Sequence, residues 1–157
     1  MYLCKILVKL DIVRTVDKIW DPLRKKEVAL TPEEQVRQWF ISILLTDFKV
    51  PPVLARSEVA FDFGQEVGGL DGFARKRYRA DIVVYDREHR PLVAVECKRP
   101  DVKLDSSVAE QSMRYNSVLG VRWIVLTNGV NTMVFKRGEG NVFKLTATLP
   151  TYDELTT

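Results

Sequence analysis

Two short stretches carry residue types that could do chemistry. Arg79-Ala80-Asp81-Ile82-Val83-Val84 and Val93-Ala94-Val95-Glu96-Cys97-Lys98 set two carboxylates and a lysine at the ends of apolar runs. A charge on a buried strand has to be paired or bind a metal. Strand side chains alternate faces, so Glu96 and Lys98 point one way and Cys97 the other, and Asp81 on a paired strand completes one cluster. A hard divalent cation takes oxygen ligands. Asp81, Glu96 and the Cys97 carbonyl are therefore expected to hold Mg²⁺, with Mn²⁺ as a substitute, while water and a substrate phosphate fill the other positions. Such an ion lowers the pKa of a bound water and offsets charge on phosphoryl oxygens; Lys98 orients that water or stabilises the transition state. The chemistry this suits is phosphodiester hydrolysis. A plainer reading stays open, in which Glu96 and Lys98 form an i,i+2 ion pair at a strand end and Asp81 caps a turn.

Two helices bear on the cluster. In the first, Glu33 lies nearer the Val36/Phe40 face than Glu34 does and is expected to turn toward the sheet, or else to complement the helix dipole as an N-terminal acid. In the second, Gln111 and Tyr115 are four apart within an apolar stripe, so their polar heads face the interior and need partners there, unless they snorkel at the helix edge. A basic run, Arg75, Lys76, Arg77 and Arg79, precedes Asp81, and Lys98-Arg99 leads out of the second stretch. Cations beside such a site are where a DNA backbone would lie; a solvated charged face is the alternative. With no helix-turn-helix or finger signature, little base readout is expected.

The elements that must position these residues are legible in part. Thr31-Pro32-Glu33-Glu34 starts a helix, with Thr31 as cap and Glu34 completing a T-x-x-E box. Val36, Trp39, Phe40, Ile43 and Leu44 recur at helical spacing to about Asp47, and Pro51-Pro52 ends any continuation. Glu58 to Phe63, Arg77 to Tyr85 and Leu92 to Lys98 read as an antiparallel meander. Leu104, Val108, Gln111, Tyr115 and Val118 mark a second helix, closed by Gly120. Val121 to Thr127 is a buried-type strand, Asn128-Gly129 signals a hairpin turn before Asn131 to Lys136, and a last strand runs from Val142 to Thr148. This order predicts a mixed sheet sandwiched by helices.

Composition narrows the class. The 157 residues are 46% apolar, 29% charged and 10% aromatic, the profile of one globular domain over residues 1–157, with Tyr2 to Val16 a weak strand or part of an N-terminal arm over about residues 1–20. The net charge of +3 neither demands nor excludes nucleic acid. Cys4 and Cys97 have no zinc spacing and follow no secretory signal, so a cytoplasmic setting is expected. No apolar run approaches the roughly 18 residues of a membrane span. A single histidine, His89, and the lack of G-x-S-x-G or a P-loop argue against nucleophile-elbow hydrolases and ATP-driven chemistry.

Taken together the pattern resembles the PD-(D/E)-x-K nuclease superfamily. More narrowly it resembles the N-terminal nuclease domain of type I restriction enzyme R subunits and short stand-alone bacterial proteins similar to it. The residues that carry this are Asp21-Pro22-Leu23-Arg24-Lys25, Thr31-Pro32-Glu33-Glu34-Gln35-Val36-Arg37-Gln38, Arg79 to Val83, Val95-Glu96-Cys97-Lys98, Gln111 to Asn116 and Thr127-Asn128-Gly129. The resemblance spans about Asp21 to Phe135. It implies an α/β (α+β) restriction-endonuclease-like mixed β-sheet flanked by helices and a Mg²⁺-dependent endodeoxyribonuclease site. Asp81 and Glu96 would be metal ligands, Lys98 the catalytic lysine, Glu33 and Arg37 an E-x-x-x-R helix motif, and Gln111/Tyr115 a support that orders the site or contacts DNA. Partners implied are DNA and helicase or specificity subunits; cutting both strands would take two sites, as in a homodimer, or two visits. The helicase motor of the full subunit is not within these residues, so translocation and site recognition would come from elsewhere. A catalytically idle module of the same fold, binding nucleic acid or protein, is the competing expectation.

Overall fold

The computed structural model describes residues 17–66 and 73–157. Its elements are β1 (Lys18–Asp21), β2 (Lys26–Ala29), α1 (Pro32–Thr46), β3 (Ala55–Glu66), β4 (Phe73–Tyr85), β5 (Pro91–Cys97), α2 (Ser106–Asn116), β6 (Trp123–Thr127), β7 (Thr132–Arg137), β8 (Phe143–Thr146) and α3 (Tyr152–Thr156). β1 and β2 form a hairpin of their own, and the other six strands form one sheet in sequential order. All neighbours are antiparallel except β5 and β6. That parallel step requires a crossover, and α2 is it. The expected meander is β3 to β5, and the expected α/β (α+β) mixed β-sheet flanked by helices is what forms.

Each helix covers one face. β5 alternates: Val93, Val95 and Cys97 pack with Val36, Phe40, Ile41 and Leu44 of α1, whereas Ala94 packs with Ala109 of α2 and with Ile124 and Leu126 of β6. β6 is buried along its whole length, as expected of a central strand covered on both sides. α3, not among the expected elements although Thr151 to Glu154 is a T-x-x-E box, closes the first face. Its Tyr152 donates its hydroxyl to the Tyr85 carbonyl at 3.0 Å and its backbone N–H to Phe48 at 2.7 Å.

Local chemistry explains the boundaries. Thr31 caps α1 by accepting the Glu34 N–H at 3.1 Å, and Pro32 occupies the first turn. Asp105 caps α2 through the Val108 N–H at 3.0 Å. After a short 3₁₀ turn, Gly120 takes φ +70°, a left-handed conformation that suits glycine. The Asn128-Gly129 signal marks a real turn, held by the Asn128 side chain accepting from Val130 and Asn131.

Four expectations need correction. The T-x-x-E box closes on one side only, because the Glu34 side chain is drawn into ion pairs instead of back to the cap. The arm does not extend to residue 20, since Lys18–Asp21 is a paired strand; Tyr2 to Val16 lies outside the described residues. The last strand is shorter, Phe143–Thr146. In α2 the buried positions are Ala109, Ser112 and Asn116, a stripe rotated by one residue, or about 100°, from the expected one. Small side chains at Ala109 and Ser112 let the helix sit close to Ala94, and the larger Val108 and Met113 fill the flanks.

Candidate functional site

Asp81 and Glu96 meet where β4 and β5 diverge from one another, each still paired with its other neighbour. The ladder pairs Ile82 with Val95, so Asp81 falls opposite Glu96 one step further on. Asp81 Oδ2 accepts the Cys97 N–H at 2.7 Å, which ties its carboxylate to the backbone between Glu96 and Lys98. Lys98 Nζ lies 2.6 Å from Glu96 Oε1, on the shared face that alternation predicts. The plainer reading is thus present as an ion pair, inside the cluster that the catalytic reading requires. The Cys97 side chain lies in the apolar core on the α1 face.

A buried charge network holds Asp81 from the other side. Arg37 of α1 donates from Nη2 to Asp81 Oδ1 at 2.7 Å, and from Nη1 to Glu34 Oε2 at 2.6 Å and Glu58 Oε1 at 3.2 Å. Glu34 in turn accepts from Arg24 at 2.5 Å and from Gln38 at 2.9 Å. Arg24 is anchored by Asp21, which also accepts the Leu23 and Arg24 N–H groups at 2.7 and 2.8 Å. The result is an alternating chain from the β1–β2 hairpin to the candidate site: Asp21, Arg24, Glu34, Arg37, Asp81. Such charges are stable in the interior only because each has an opposite neighbour.

Two assignments on α1 change places. Glu34, not Glu33, is the buried acid, with side-chain exposures of 9% and 43%. The cause is Arg24, which reaches Glu34 from a hairpin ten residues upstream. Glu33 stays at the rim, 3.9 Å from Arg37, and its charge is felt at Asp81 and Lys98.

On α2 it is Asn116 that meets the site. Its Nδ2 donates to Glu96 Oε2 at 3.0 Å and to the Ser112 carbonyl at 2.9 Å. Gln111 is exposed. Tyr115 is half-buried and stacks on Tyr78 of β4, ring centroids 4.2 Å apart. Of the basic residues, Arg77 and Arg79 are exposed on β4, and Arg79 lies 3.4 Å from Glu58. The side chains of Arg75 and Lys76 lie outside the described residues. Arg99 turns away to pair with Asp101 at 2.6 Å.

The electrostatics follow from these contacts. Burial pushes the Asp81 carboxyl up; Arg37 and the Cys97 N–H oppose this without cancelling it, so the net shift is upward. Burial pulls the Lys98 ammonium down, but Glu96, with Asp81 and Glu33, outweighs it and Lys98 is held as a cation. Arg37 behaves alike, its burial outweighed by Asp81 and Glu34.

Among the described residues, no three His, Cys, Asp or Glu side chains group closely enough to hold a metal ion by themselves. Mg²⁺ does not need three: one or two carboxylates suffice when waters and phosphate complete the octahedron. Asp81 and Glu96 supply two, and each oxygen keeps a second lone-pair site beyond its protein donor. The donor set fits the ion.

A mixed six-stranded sheet with two helices on opposite faces, and carboxylates where the second and third strands diverge, defines a restriction-endonuclease-like fold. The chain belongs to the family of the type I restriction enzyme R protein N terminus (HSDR_N), whose profile matches residues 32–150. Among solved structures it is similar to a fragment assigned as an HsdR subunit of a type I restriction enzyme from Vibrio vulnificus YJ016. The TM-score is 0.56 and the identity 22%, over 80% of this chain. The chain spans only 24% of that structure's length. No curated protein matches. Among the described residues, no helix is long and apolar enough to cross a membrane.

Proposed function

We propose that the chain is a Mg²⁺-dependent endodeoxyribonuclease domain of the R-subunit type. The observation that carries this is the Asp81 carboxylate seated on the Cys97 N–H, beside Glu96 and the cationic Lys98, within the segment that defines the family. Asp81 and Glu96 would hold the ion, which when bound supplies Lewis-acid activation of water and neutralisation of phosphoryl charge. Lys98 is suited to donate to the scissile phosphate or to orient the attacking water, since its charge is secured by Glu96 and Asp81. Arg37 fixes the direction of the Asp81 carboxylate, and Asn116 that of Glu96. On the same reading the chain works on DNA in the cytoplasm, with sequence recognition and any motor supplied from outside these residues. A second copy would allow both strands to be cut.

The test is cleavage of supercoiled plasmid and single-stranded DNA with Mg²⁺ or Mn²⁺, comparing wild type with Asp81→Asn and Lys98→Ala, each checked for folding. Metal-dependent nicking lost in both variants is the expected result. Nicking by Asp81→Asn at the wild-type rate sinks the assignment. One observation favours a second reading, an idle binding module: both oxygens of Asp81 and of Glu96 already accept from protein donors, so the acidic pair is satisfied without an ion. That reading expects melting unchanged by either metal, whereas binding to the native state alone raises it.

A further inference from the structure

We infer that the β3–β4 ribbon is an arm that lies along duplex DNA and delivers it to Asp81; this rests on the nuclease reading for its end point but not for its binding. β4 pairs with β5 only over Ile82–Tyr85, yet it pairs with β3 from Ala55↔Val84 out to Glu66↔Phe73. Beyond Val59↔Ala80 the two strands run on as a two-stranded ribbon, over a length of roughly 23 Å.

Its two faces differ. Val59, Phe61, Tyr78 and Ala80 share one face by register, and all four are half-buried or buried. Phe61 stacks on Tyr78 with centroids 6.1 Å apart, and Tyr78 stacks in turn on Tyr115 of α2. This aromatic contact fastens the ribbon to the domain. The other face carries Ala60, Asp62, Arg77 and Arg79, all exposed. Arginines two apart on a strand stand roughly 6.6 Å from one another, comparable to the step between successive phosphates on one DNA strand. Across the ribbon Arg79 faces the small Ala60 and Arg77 faces Asp62, so a phosphate reaches Arg79 without steric screening and meets one carboxylate beside Arg77.

The occupant is fixed by charge and shape. Two arginines at a fixed strand spacing match the regular phosphates of a duplex better than the variable path of a single strand, and a two-stranded ribbon is one of the shapes the major groove admits. The row ends two residues before Asp81. At its base Glu58 contacts both Arg79 and Arg37, the residue that holds Asp81. Contacts to phosphate position the duplex without selecting a sequence.

The experiment is fluorescence anisotropy of the full chain with a labelled duplex and with one of its single strands, in EDTA across a salt series. Wild type is compared with Arg77→Ala/Arg79→Ala and with Arg77→Glu/Arg79→Glu. Both positions are exposed, so the double alanine variant should melt as wild type does, whereas the double glutamate variant sets like charges beside Glu58 and Asp62 and should melt lower. The expected results are tighter binding of duplex than of single strand and a duplex salt slope flatter by about 1.8 in the double alanine variant, two phosphate contacts' worth. Charge reversal should abolish duplex binding. Wild-type duplex affinity and slope in the double alanine variant overturn the proposal, as does an equal loss for single strand and duplex. Plasmid nicking by the same proteins separates the two readings. Arginine-dependent duplex binding without nicking by wild type keeps the arm and removes the nuclease, whereas nicking with binding indifferent to both substitutions does the reverse.

Discussion

Replacing Arg37 by methionine keeps most of the side-chain stem and removes a guanidinium that touches three carboxylates. In the folded protein Arg37 is 5% exposed and bonds Asp81, Glu34 and Glu58 within 3.2 Å. Removing one partner of a buried pair costs about 3–5 kcal/mol, because the remaining charge is left unpaired. Glu34 keeps Arg24 and Gln38, and Glu58 is a third exposed, so most of the loss should fall on Asp81. In a chain of this length that corresponds to a melting temperature lower by about 6–20 °C. Arg37→Lys keeps the charge without the fork and should lose roughly half as much. The decisive measurement is a double-mutant cycle by urea denaturation with Asp81→Asn. Once Asp81 is neutral, the loss of Arg37 should cost less, giving a coupling of about 1–3 kcal/mol. Additivity of the two single changes to within about 0.5 kcal/mol refutes the argument that Arg37 acts through Asp81.

Three further outcomes follow from other contacts. Asn116→Ala removes a hydrogen bond to the partly buried Glu96 and should cost about 1.5 kcal/mol by denaturation; Asn116→Asp, which sets like charges together, should cost more. At Asp21, burial raises the carboxyl pKa but the Arg24 and Leu23 donors outweigh it, so the folded value lies below the ordinary 3.8. A depressed carboxylate stabilises the fold above its unfolded pKa, and that contribution is lost as pH falls through the folded value. Asp21→Ala should therefore be less stable than wild type by about 2 kcal/mol at neutral pH, and thermal melts should show the gap closing well below pH 3.8. Gly129 has φ +83° and a Cβ there would sit 3.3 Å from Val36 Cγ2, so Gly129→Ala should destabilise by more than about 1 kcal/mol. An unchanged denaturation midpoint in that variant would contradict the described turn.

The sequence was most readable where one local signal sufficed. Thr31-Pro32 marks the start of α1, Gly120 the end of the α2 region, and the alternation Glu96, Cys97, Lys98 sets which side chains share a face; each depends on residues within one turn or one strand. It was least readable where the deciding partner is distant. Periodicity put Glu33 on the inner side of α1, but the deeper acid is Glu34, because Arg24 waits there from a hairpin with only four residues per strand. The stripe expected for α2 runs along its larger side chains, whereas close packing on Ala94 selects the small Ala109 and Ser112 and so brings Asn116 to Glu96. A signal for Asn116 did exist: an amide in the last turn of a helix that follows an E-x-K strand needs a partner if buried, and a carboxylate is the strongest acceptor nearby.

The charge chain also joins the hairpin to the candidate site as one structural unit. Asp21 and Arg24 lie outside the segment matched by the family profile, yet Arg24 is one of the two guanidinium groups that pair with the buried Glu34. If Glu34 were unpaired it would compete with Asp81 for Arg37, and Asp81 would keep only the Cys97 N–H to offset its burial. The short hairpin therefore acts on the carboxylate of β4 through two guanidinium groups and one glutamate, without touching it. By the same logic Glu58 joins the exposed ribbon to the interior, since it contacts Arg24, Arg37 and Arg79. Phosphate bound at Arg79 would draw that guanidinium from Glu58 and leave Glu58 free to pull harder on Arg37, so DNA on the proposed arm would be coupled to the orientation of Asp81.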